Sequence, residues 1–431
     1  MTKRLGWIAL ALLIAALPLW AGGQQESAEM SDSDQIELTF MHRWTQDPDN
    51  QFFEDIVADY EEQNPNVDIE VVTISNDPFK EKIKIVLGTE EAPDVFFTWP
   101  GEFTNRFIRS GNVLDLTPYM EAGWQDTFVQ SVLEPFRYEG AIYGSPYRLD
   151  AKVFVYNKEL FQEAGIRSTP SSFQEFLQLA EELQDAGITP IAFGNQGPWA
   201  VSHYIGQLNA YCVPPEVYAN DLIPSEGTFD HEGYVTALEK YEDLTPYFNE
   251  SPNAISHDQA RASFINGDAA MMYIEIIEIP EISRQIESGF SERFDVFKMP
   301  PIEGAAGNQN HLLGYPEGFV VSANTDYPDE AVDFLKYITG KEAGQYEAQQ
   351  LGFVNGVKNV VSRNDVSDAI YSTVGLVFET EKMVNWFDSS LHSEIWSVAR
   401  EELQKLTDNV TSPEDDMAEI REAADDVRAQ F

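Results

Sequence analysis

The chain has 431 residues, enough for two cores of ordinary size, and a formal net charge of −46 from 73 acidic and 27 basic side chains. Such a negative surface repels phosphate backbones, which excludes nucleic acid as a partner. Cys212 is the single cysteine, so an intrachain disulfide is impossible, and we expect this residue to pack in a core.

The first residues follow the pattern of a secretory signal. Lys3 and Arg4 precede an apolar run that ends in small residues, so we expect a cleaved signal peptide over 1–23 and a polar tether over 24–34. No cysteine stands just after the apolar run, which argues against a lipid anchor on cysteine. The sequence therefore predicts a periplasmic or secreted protein that is not a lipoprotein.

Predicted strands and helices alternate in the next stretch. IELTFMH (36–42), VDIEVVTI (67–74) and DVFFT (94–98) have the apolar composition of strands. A helix capped by Asn50 and ended at Asn64 is expected between the first two, and another helix precedes the third. Short connections of this kind imply parallel pairing with right-handed crossovers. We expect an open, doubly wound α/β unit.

The later part of the chain predicts a second α/β unit. Ser172 and Glu175 have the spacing of a capping box, Gly267 is expected to end a helix, and Ser412 precedes Pro413 at another helix start. Strands are expected within AKVFVYN (151–157), ITPIAFG (188–194), the run after Gly267, FDVFKMPP (294–301) and GFVVSANT (318–325).

A series of fragments, taken in order, resembles one known family. The fragments are NPNVDIEV, GTEEAPDVFFTW, SGNVLDLTPYM, YGSPYRLDAKVFVYNKELFQEAG, SFINGDAAMMYIEIIEIP, VFKMPPIEG and GFVVSANTDYPDEAVDFLKYITGKEAGQ. Each fragment is weak alone, but their order spans nearly the whole mature chain. Together they are similar to the extracellular solute-binding proteins of family 1, the maltose-binding-protein-like receptors of carbohydrate-type ABC importers.

The resemblance implies a two-lobed α/β fold of the type II periplasmic-binding-protein kind. Each lobe would be a mostly parallel sheet flanked by helices, hinge strands would join the lobes, and the cleft would close around a solute. Carried onto this chain, the first lobe takes 35–147 and 305–350, and the second takes 148–300 and 355–431.

The same resemblance implies a function and its partners. The chain would capture a sugar or oligosaccharide and deliver it to the membrane permease subunits of an ABC importer. It would act as a monomer, without catalysis, without a cofactor and without a metal ion.

Two strand ends supply the first candidate ligand contacts. Sugars are recognised by flat aromatic side chains and by planar polar groups that form paired hydrogen bonds. Trp44 follows the first strand, and Trp99 and Glu102 follow the third. Because the carboxyl ends of parallel strands meet at one edge of a sheet, we expect these residues at the cleft, with loop packing as the alternative.

The first hinge crossing supplies Tyr147, Arg148 and Asp150 as further candidates. Arg148 could donate to ligand hydroxyls or to a ligand carboxylate, or it could pair with Asp150 as a structural ion pair. The sequence leaves both alternatives open.

Family position indicates several more contacts. Trp199 begins a helix-like run and is expected to contact the ligand, with packing at the helix start as the alternative. His203, one turn later, is expected to be a packed or solvent histidine. A Gly and a Trp usually stand in the family where this chain has Glu275 and Ile277, so a stacking residue is lost and a carboxylate is gained. Tyr315 and Glu317 lead into a hinge-side strand and are further candidates. Trp386 and Trp396 are the last two, with packing in a helix core as the alternative.

A secreted glycoside hydrolase is the alternative from another class, because its two catalytic carboxylates carry no local sequence signature. With 73 acidic residues, carboxylates close in sequence are no evidence for acid–base catalysis. A receptor of the same fold for a non-sugar polar solute is the third possibility, favoured if Glu275 and Arg148 dominate the site.

Overall fold

The computed structural model describes residues 35–431 except 287–289, 354, 359, 361, 363, 365 and 367. The predicted signal peptide and tether lie outside the described residues. Strands β1–β13 span Ile36–His42, Val67–Thr73, Val95–Thr98, Arg137–Tyr138, Ala141–Ile142, Ser145–Arg148, Lys152–Asn157, Thr189–Ala192, Ala269–Glu275, Phe294–Phe297, His311–Leu313, Glu317–Val321 and Lys382–Val384.

Helices α1–α19 span Asp49–Gln63, Asn76–Val86, Glu102–Arg109, Thr117–Tyr119, Gln130–Leu133, Lys158–Glu163, Phe173–Asp185, Trp199–Cys212, Pro215–Asp221, Gly233–Glu242, His257–Asn266, Ile279–Arg284, Phe290–Arg293, Pro328–Ile338, Lys341–Leu351, Asp368–Phe378, Phe387–Ser390, Ser393–Thr407 and Pro413–Arg428. None of the helices in the described part combines the length and apolar character needed to span a bilayer.

A five-stranded sheet in the order β2-β1-β3-β12-β6 forms what we call the first lobe, together with the helices packed on it. β1 lies parallel to β2 and β3, with Phe40 opposite Val71 and Val95. All four residues of β3 are buried, as its apolar composition predicted. Helices α1 and α2 connect these strands, which confirms the predicted β–α–β–α–β order.

A four-stranded sheet in the order β10-β7-β9-β8, with its helices, forms the second lobe. Both sheets are mixed, which corrects the expectation of mostly parallel sheets: β12 pairs antiparallel with β3 and β6, and β7 pairs antiparallel with β10 and β9. The cause is the connectivity. β7 and β12 each enter their sheet from the other lobe and not through a helix of the same lobe. Nothing therefore restricts these two strands to the parallel direction.

The chain passes directly from one sheet to the other after Arg148. β6 belongs to the first sheet and β7 to the second, and only 149–151 lie between them. β11 and β13 form a separate parallel pair, His311–Leu313 with Lys382–Val384. These short connections carry polar side chains to the space between the sheets.

Helix starts agree with the sequence in two cases and differ in one. The Ser172 and Ser412 side chains accept from backbone N–H groups three residues later, as predicted. Glu175 bonds to Ser171, so the reciprocal half of that capping box is missing. The prediction that Asn50 caps α1 is wrong, because the helix already begins at Asp49, after Pro48. Cys212 is buried in the second-lobe core, which confirms its predicted role.

Candidate ligand-binding site

A cavity of about 550 Å³ lies between the two sheets, and both lobes line it. We call it the cleft. The first lobe contributes the loop after β1, the start of α2 and the end of β3, and the second contributes the starts of α8 and α11 and the end of β9. Of the sequence-predicted residues, the cleft brings together Trp44, Trp99, Arg148, Asp150, Trp199, Glu275, Glu317 and Trp386.

Four predicted residues lie elsewhere. Tyr147 is 1% exposed within the first-lobe core, where its ring contacts Phe53. Trp396 packs against the second-lobe core. Glu102 and Tyr315 line a second, smaller cavity.

Glu317 binds both Trp99 and Arg43, and Arg43 in turn lies over Trp44. Arg43 Nη2 donates to both carboxylate oxygens of Glu317, at 2.7 and 2.8 Å, and Trp99 Nε1 donates to the same carboxylate at 3.2 Å. The Arg43 guanidinium lies 4.8 Å from the Trp44 ring centre. Because Glu317 is only 3% exposed, it acts mainly as an internal partner that holds Arg43 at the cleft wall.

Arg148 is fixed by two carboxylates, and neither is Asp150. Its Nη2 lies 2.7 Å from Asp49, and its Nε donates to Glu347. The guanidinium sits 4.7 Å from the centre of the Trp44 ring and 3.7 Å from that of Phe353. The Arg148–Asp150 pair considered from the sequence is therefore not formed.

The aromatic residues of the cleft differ in how much ring they offer to a ligand. Trp99 and Trp386 are 7% and 3% exposed, whereas Trp199 and Trp44 are half-buried. Trp44 already stacks on Phe53, at 5.1 Å between ring centres, and carries both guanidiniums just described. Trp199 is therefore the aromatic side chain best placed to receive a flat ligand.

His203 is buried beside these rings, which is the packed alternative expected from the sequence. Its ring stacks on Trp386 with 4.5 Å between centres, and its two nitrogens lie 3.5 Å from Glu275 and 3.8 Å from Asp388. Burial, with Lys152 and Lys80 nearby, lowers the pKa of His203 well below its ordinary value. The ring is thus neutral and presents one donor and one acceptor.

Asp150 and Glu275 both line the cleft, and a lysine lies close to Glu275. Lys152 Nζ lies 3.8 Å from Glu275, whose side chain is 20% exposed. Burial, with repulsion from Glu275 and Glu317, raises the pKa of Asp150 well above its ordinary value. Burial also raises the pKa of Glu275, against the attraction of Lys152. Such carboxyl groups can either accept from or donate to a ligand hydroxyl.

The cleft also contains a cluster of charged side chains that sequence reasoning missed: His257, Arg261 and Glu278. His257 and Arg261 each lie 2.8 Å from Glu278. Burial opposes ionisation of Glu278, but His257 and Arg261 hold its pKa well below the usual range. His257 and Arg261 lie at the start of α11, which begins with a capping box formed by Ser256 and Gln259. In the sequence, that capping box was the only sign that these side chains have fixed positions. Among the described residues, no cluster of His, Cys, Asp and Glu could hold a metal ion.

The cleft is thus a polar cavity with one open aromatic face and several side chains held by internal ion pairs. A family model of the bacterial extracellular solute-binding proteins matches residues 44–345, well over half of the chain. The chain belongs to this family. The family consists of solute-binding proteins, which confirms the membership predicted from the sequence motifs.

Relatives and solved structures agree with this assignment. The multiple sugar-binding protein of Streptococcus mutans is 21% identical over 409 residues, 91% of each chain. The osmoprotective compounds-binding protein of Synechocystis is 24% identical over 262 residues, 54% of this chain and 62% of the relative.

Two solved structures are similar over nearly their whole length. A chain from work on xylan utilization by the thermophilic bacterium Caldanaerobius polysaccharolyticus has a TM-score of 0.83 and 26% identity, and the match covers 90% of this solute-binding protein and 99% of that chain. A chitin oligosaccharide binding protein has a TM-score of 0.83 and 22% identity, with coverage of 92% and 100%. The likeness gives the fold: two α/β lobes about a cleft, as in periplasmic binding proteins.

Proposed function

We propose that this solute-binding protein captures a neutral sugar or oligosaccharide in the cleft and delivers it to the permease of an ABC importer. One observation carries the proposal: the half-buried Trp199 ring, 5.3 Å from that of His203, lines the same cavity between the lobes as Asp150 and Glu275. An aromatic face with adjacent planar polar groups is what sugar recognition requires. The sugar ligands named for similar proteins favour the same class.

In this proposal each cleft residue has a stated role. Trp199 stacks on a sugar ring and Trp44 borders it. Asp150 and Glu275 exchange hydrogen bonds with the hydroxyl groups, and Arg148, which is held by Asp49 and Glu347, is part of the wall. Trp99, Glu317 and Trp386 build the wall that holds these groups in place, and the hinge lets the two lobes close on the ligand.

The cellular context is proposed with the same function. A family of extracellular solute-binding proteins implies export, so we propose that 1–23 is cleaved and that the mature chain works as a monomer outside the inner membrane, without a cysteine-linked lipid. We also propose the lobe segments 35–147, 148–300, 305–350 and 355–431 for the design of truncations.

A thermal-shift screen followed by calorimetry tests the proposal. Xylo-, chito- and malto-oligosaccharides are compared with glycine betaine and with amino acids, at moderate and high salt. A receptor is stabilised by its ligand and returns it unchanged. Stabilisation by a sugar, with the intact sugar recovered by chromatography, is expected. Recovery of shortened sugar would support the glycoside hydrolase instead.

A non-sugar osmolyte is the second candidate. The Synechocystis relative is a binding protein for osmoprotective compounds, and the carboxylates that line the cleft would attract a cationic osmolyte. Stabilisation by glycine betaine, with no response to any of the sugars, would replace the first proposal by this one.

A further inference from the structure

The segment from Asn385 to Ser390, the end of α17, lies between the lobes and contacts both of them. We call it the interlobe tie. It begins where β13 ends, and α17 packs on α3 of the first lobe and on α8 of the second. Trp386 and Asp388 line the cleft on one side of the tie, and Asn385 and Ser390 line the second, smaller cavity on the other. The tie therefore connects the lobes along the wall of the cleft.

A hydrogen bond joins the tie to the first lobe. Asn385 Nδ2 donates to the backbone carbonyl of Pro100, two residues after β3, at 2.9 Å. The neighbouring Gly101 permits this close approach, because a Cβ at that position would overlap Asn385 Nδ2. Asn385 Oδ1 accepts from the backbone N–H of Trp386 at 2.8 Å. Both ends of the Asn385 amide are thus in use, which fixes its orientation toward the first lobe.

An ion pair and a stacked ring add to this connection. Lys80 Nζ, on α2 of the first lobe, lies 3.8 Å from the carboxylate of Asp388. The Trp386 ring is part of the buried cluster of the first lobe, and it stacks on His203 of α8 in the second lobe with 4.5 Å between centres. Phe387 is buried in the second-lobe core. All these contacts join protein atoms, so none of them depends on a bound solute.

The size of the contact suits a connection that can open. One hydrogen bond changes an equilibrium constant by roughly 2- to 12-fold, and a partly exposed ion pair changes it by less. A few such contacts give two lobes a preferred spacing without locking them together. The spacing matters, because a solute that touches both lobes is bound according to the distance between the two walls.

We propose that Asn385 and Asp388 are positioning residues, and that the interlobe tie holds the two walls of the cleft at the spacing seen here before any solute binds. Asn385 acts through the arrangement of the lobes, since it is not among the described residues that line the cleft. Walls that are already in place lower the ordering cost of binding. This inference goes beyond the proposed function and applies to any solute that the cleft takes.

The distance between spin labels on the two lobes, measured by pulsed electron paramagnetic resonance, tests the tie. Cys212 is the single cysteine and is buried, so introduced cysteines can be labelled selectively. Ser110 at the end of α3 and Asn220 in α9 are exposed and lie on different lobes, which makes Ser110→Cys and Asn220→Cys the labelling pair. The full-length mature protein is used, with no sugar added.

Two variants weaken the tie, and a third is the matched control. Asn385→Asp removes the donor to Pro100 but keeps the acceptor for the next backbone N–H. Lys80→Met removes the ion pair from the first-lobe side. Asn253→Asp makes the same chemical change within the second lobe, where Asn253 Nδ2 donates to the backbone carbonyl of Gln404 at 2.8 Å.

The wild type and Asn253→Asp should each show one narrow distance distribution. In Asn385→Asp a second population at longer distance should appear, as the ratio of the close to the distant form falls roughly 2- to 12-fold, and Lys80→Met should give a smaller change in the same direction. Thermal unfolding shows which variants fold. An unchanged distribution in folded Asn385→Asp would overturn the tie, and so would a wild type in which the longer distance already dominates. If Asn385→Asp does not fold, Lys80→Met decides in the same way. Because no sugar takes part, a negative result leaves the proposed function intact.

Discussion

Removing the open aromatic face of the cleft should weaken ligand binding far more than it weakens the fold. Trp199 is the first residue of α8 and is half-buried, with its ring 4.9 Å from that of His257. A buried aromatic side chain covers about 150–250 Å², so one stacked face covers roughly 100 Å². At about 25 cal/mol per Å², Trp199→Ala should lose about 2.5 kcal/mol of binding free energy, or roughly 60-fold in affinity.

Trp396→Ala is the matched control, because Trp396 is also half-buried in a helix but packs on the second-lobe core away from the cleft. Calorimetry with the tightest sugar from the screen gives the two affinities, and thermal unfolding shows that both variants fold. We expect a large loss of affinity for Trp199→Ala and none for Trp396→Ala. An unchanged affinity in folded Trp199→Ala would remove this residue from the site and refute the stacking argument.

Three further changes test how the structure is held. Glu317→Gln should lower the free energy of unfolding, measured in urea titrations, by about 3 kcal/mol, because it leaves the Arg43 charge without its partner. Glu91→Gln, which breaks an exposed ion pair, is the control and should cost under about 0.5 kcal/mol. Gly101→Ala should cost about 1–3 kcal/mol, because φ is +97° there and a Cβ would lie 2.2 Å from a side-chain nitrogen; a wild-type unfolding curve would contradict this. Burial raises the pKa of Asp416 from 3.8 to about 7, so the folded state holds a proton that the unfolded state releases, and stability should fall as pH rises from about 4 to 7. Asp416→Asn should remove most of that fall, and parallel stability–pH curves for the two proteins would count against the buried acid.

Sequence reasoning succeeded where strand ends decide the position of a side chain. Trp44, Trp99 and Glu275 each stand at or just after the carboxyl end of a strand, and the cleft lies at those ends. Alternation along a strand could also have corrected one candidate. Tyr147 and Arg148 are neighbours in β6 and point to opposite faces, so only one of them can line the cleft.

The rest of the cleft depends on contacts that no local pattern reveals. The carboxylates that hold Arg148 come from Asp49 and from Glu347, which is 199 residues away. Arg261 and Glu278 look like ordinary charges of surface helices in a chain with 73 acidic residues. Their shared contact depends on how α11 packs beside the end of β9, which is a property of the tertiary structure.

The arrangement of charges explains how a polar cleft can bind a neutral ligand at modest cost. Arg43 and Arg148 are each held by a carboxylate and by the Trp44 ring, so their orientations are set before any ligand arrives. Ordering a long side chain during binding costs about 0.5–1.5 kcal/mol, and this cost is largely avoided here. Trp199 adds the apolar contact, because the two imidazole rings beside it are tilted and not stacked on its face. Affinity should therefore come from one stacked ring, and selectivity from polar groups whose positions the two lobes fix in advance.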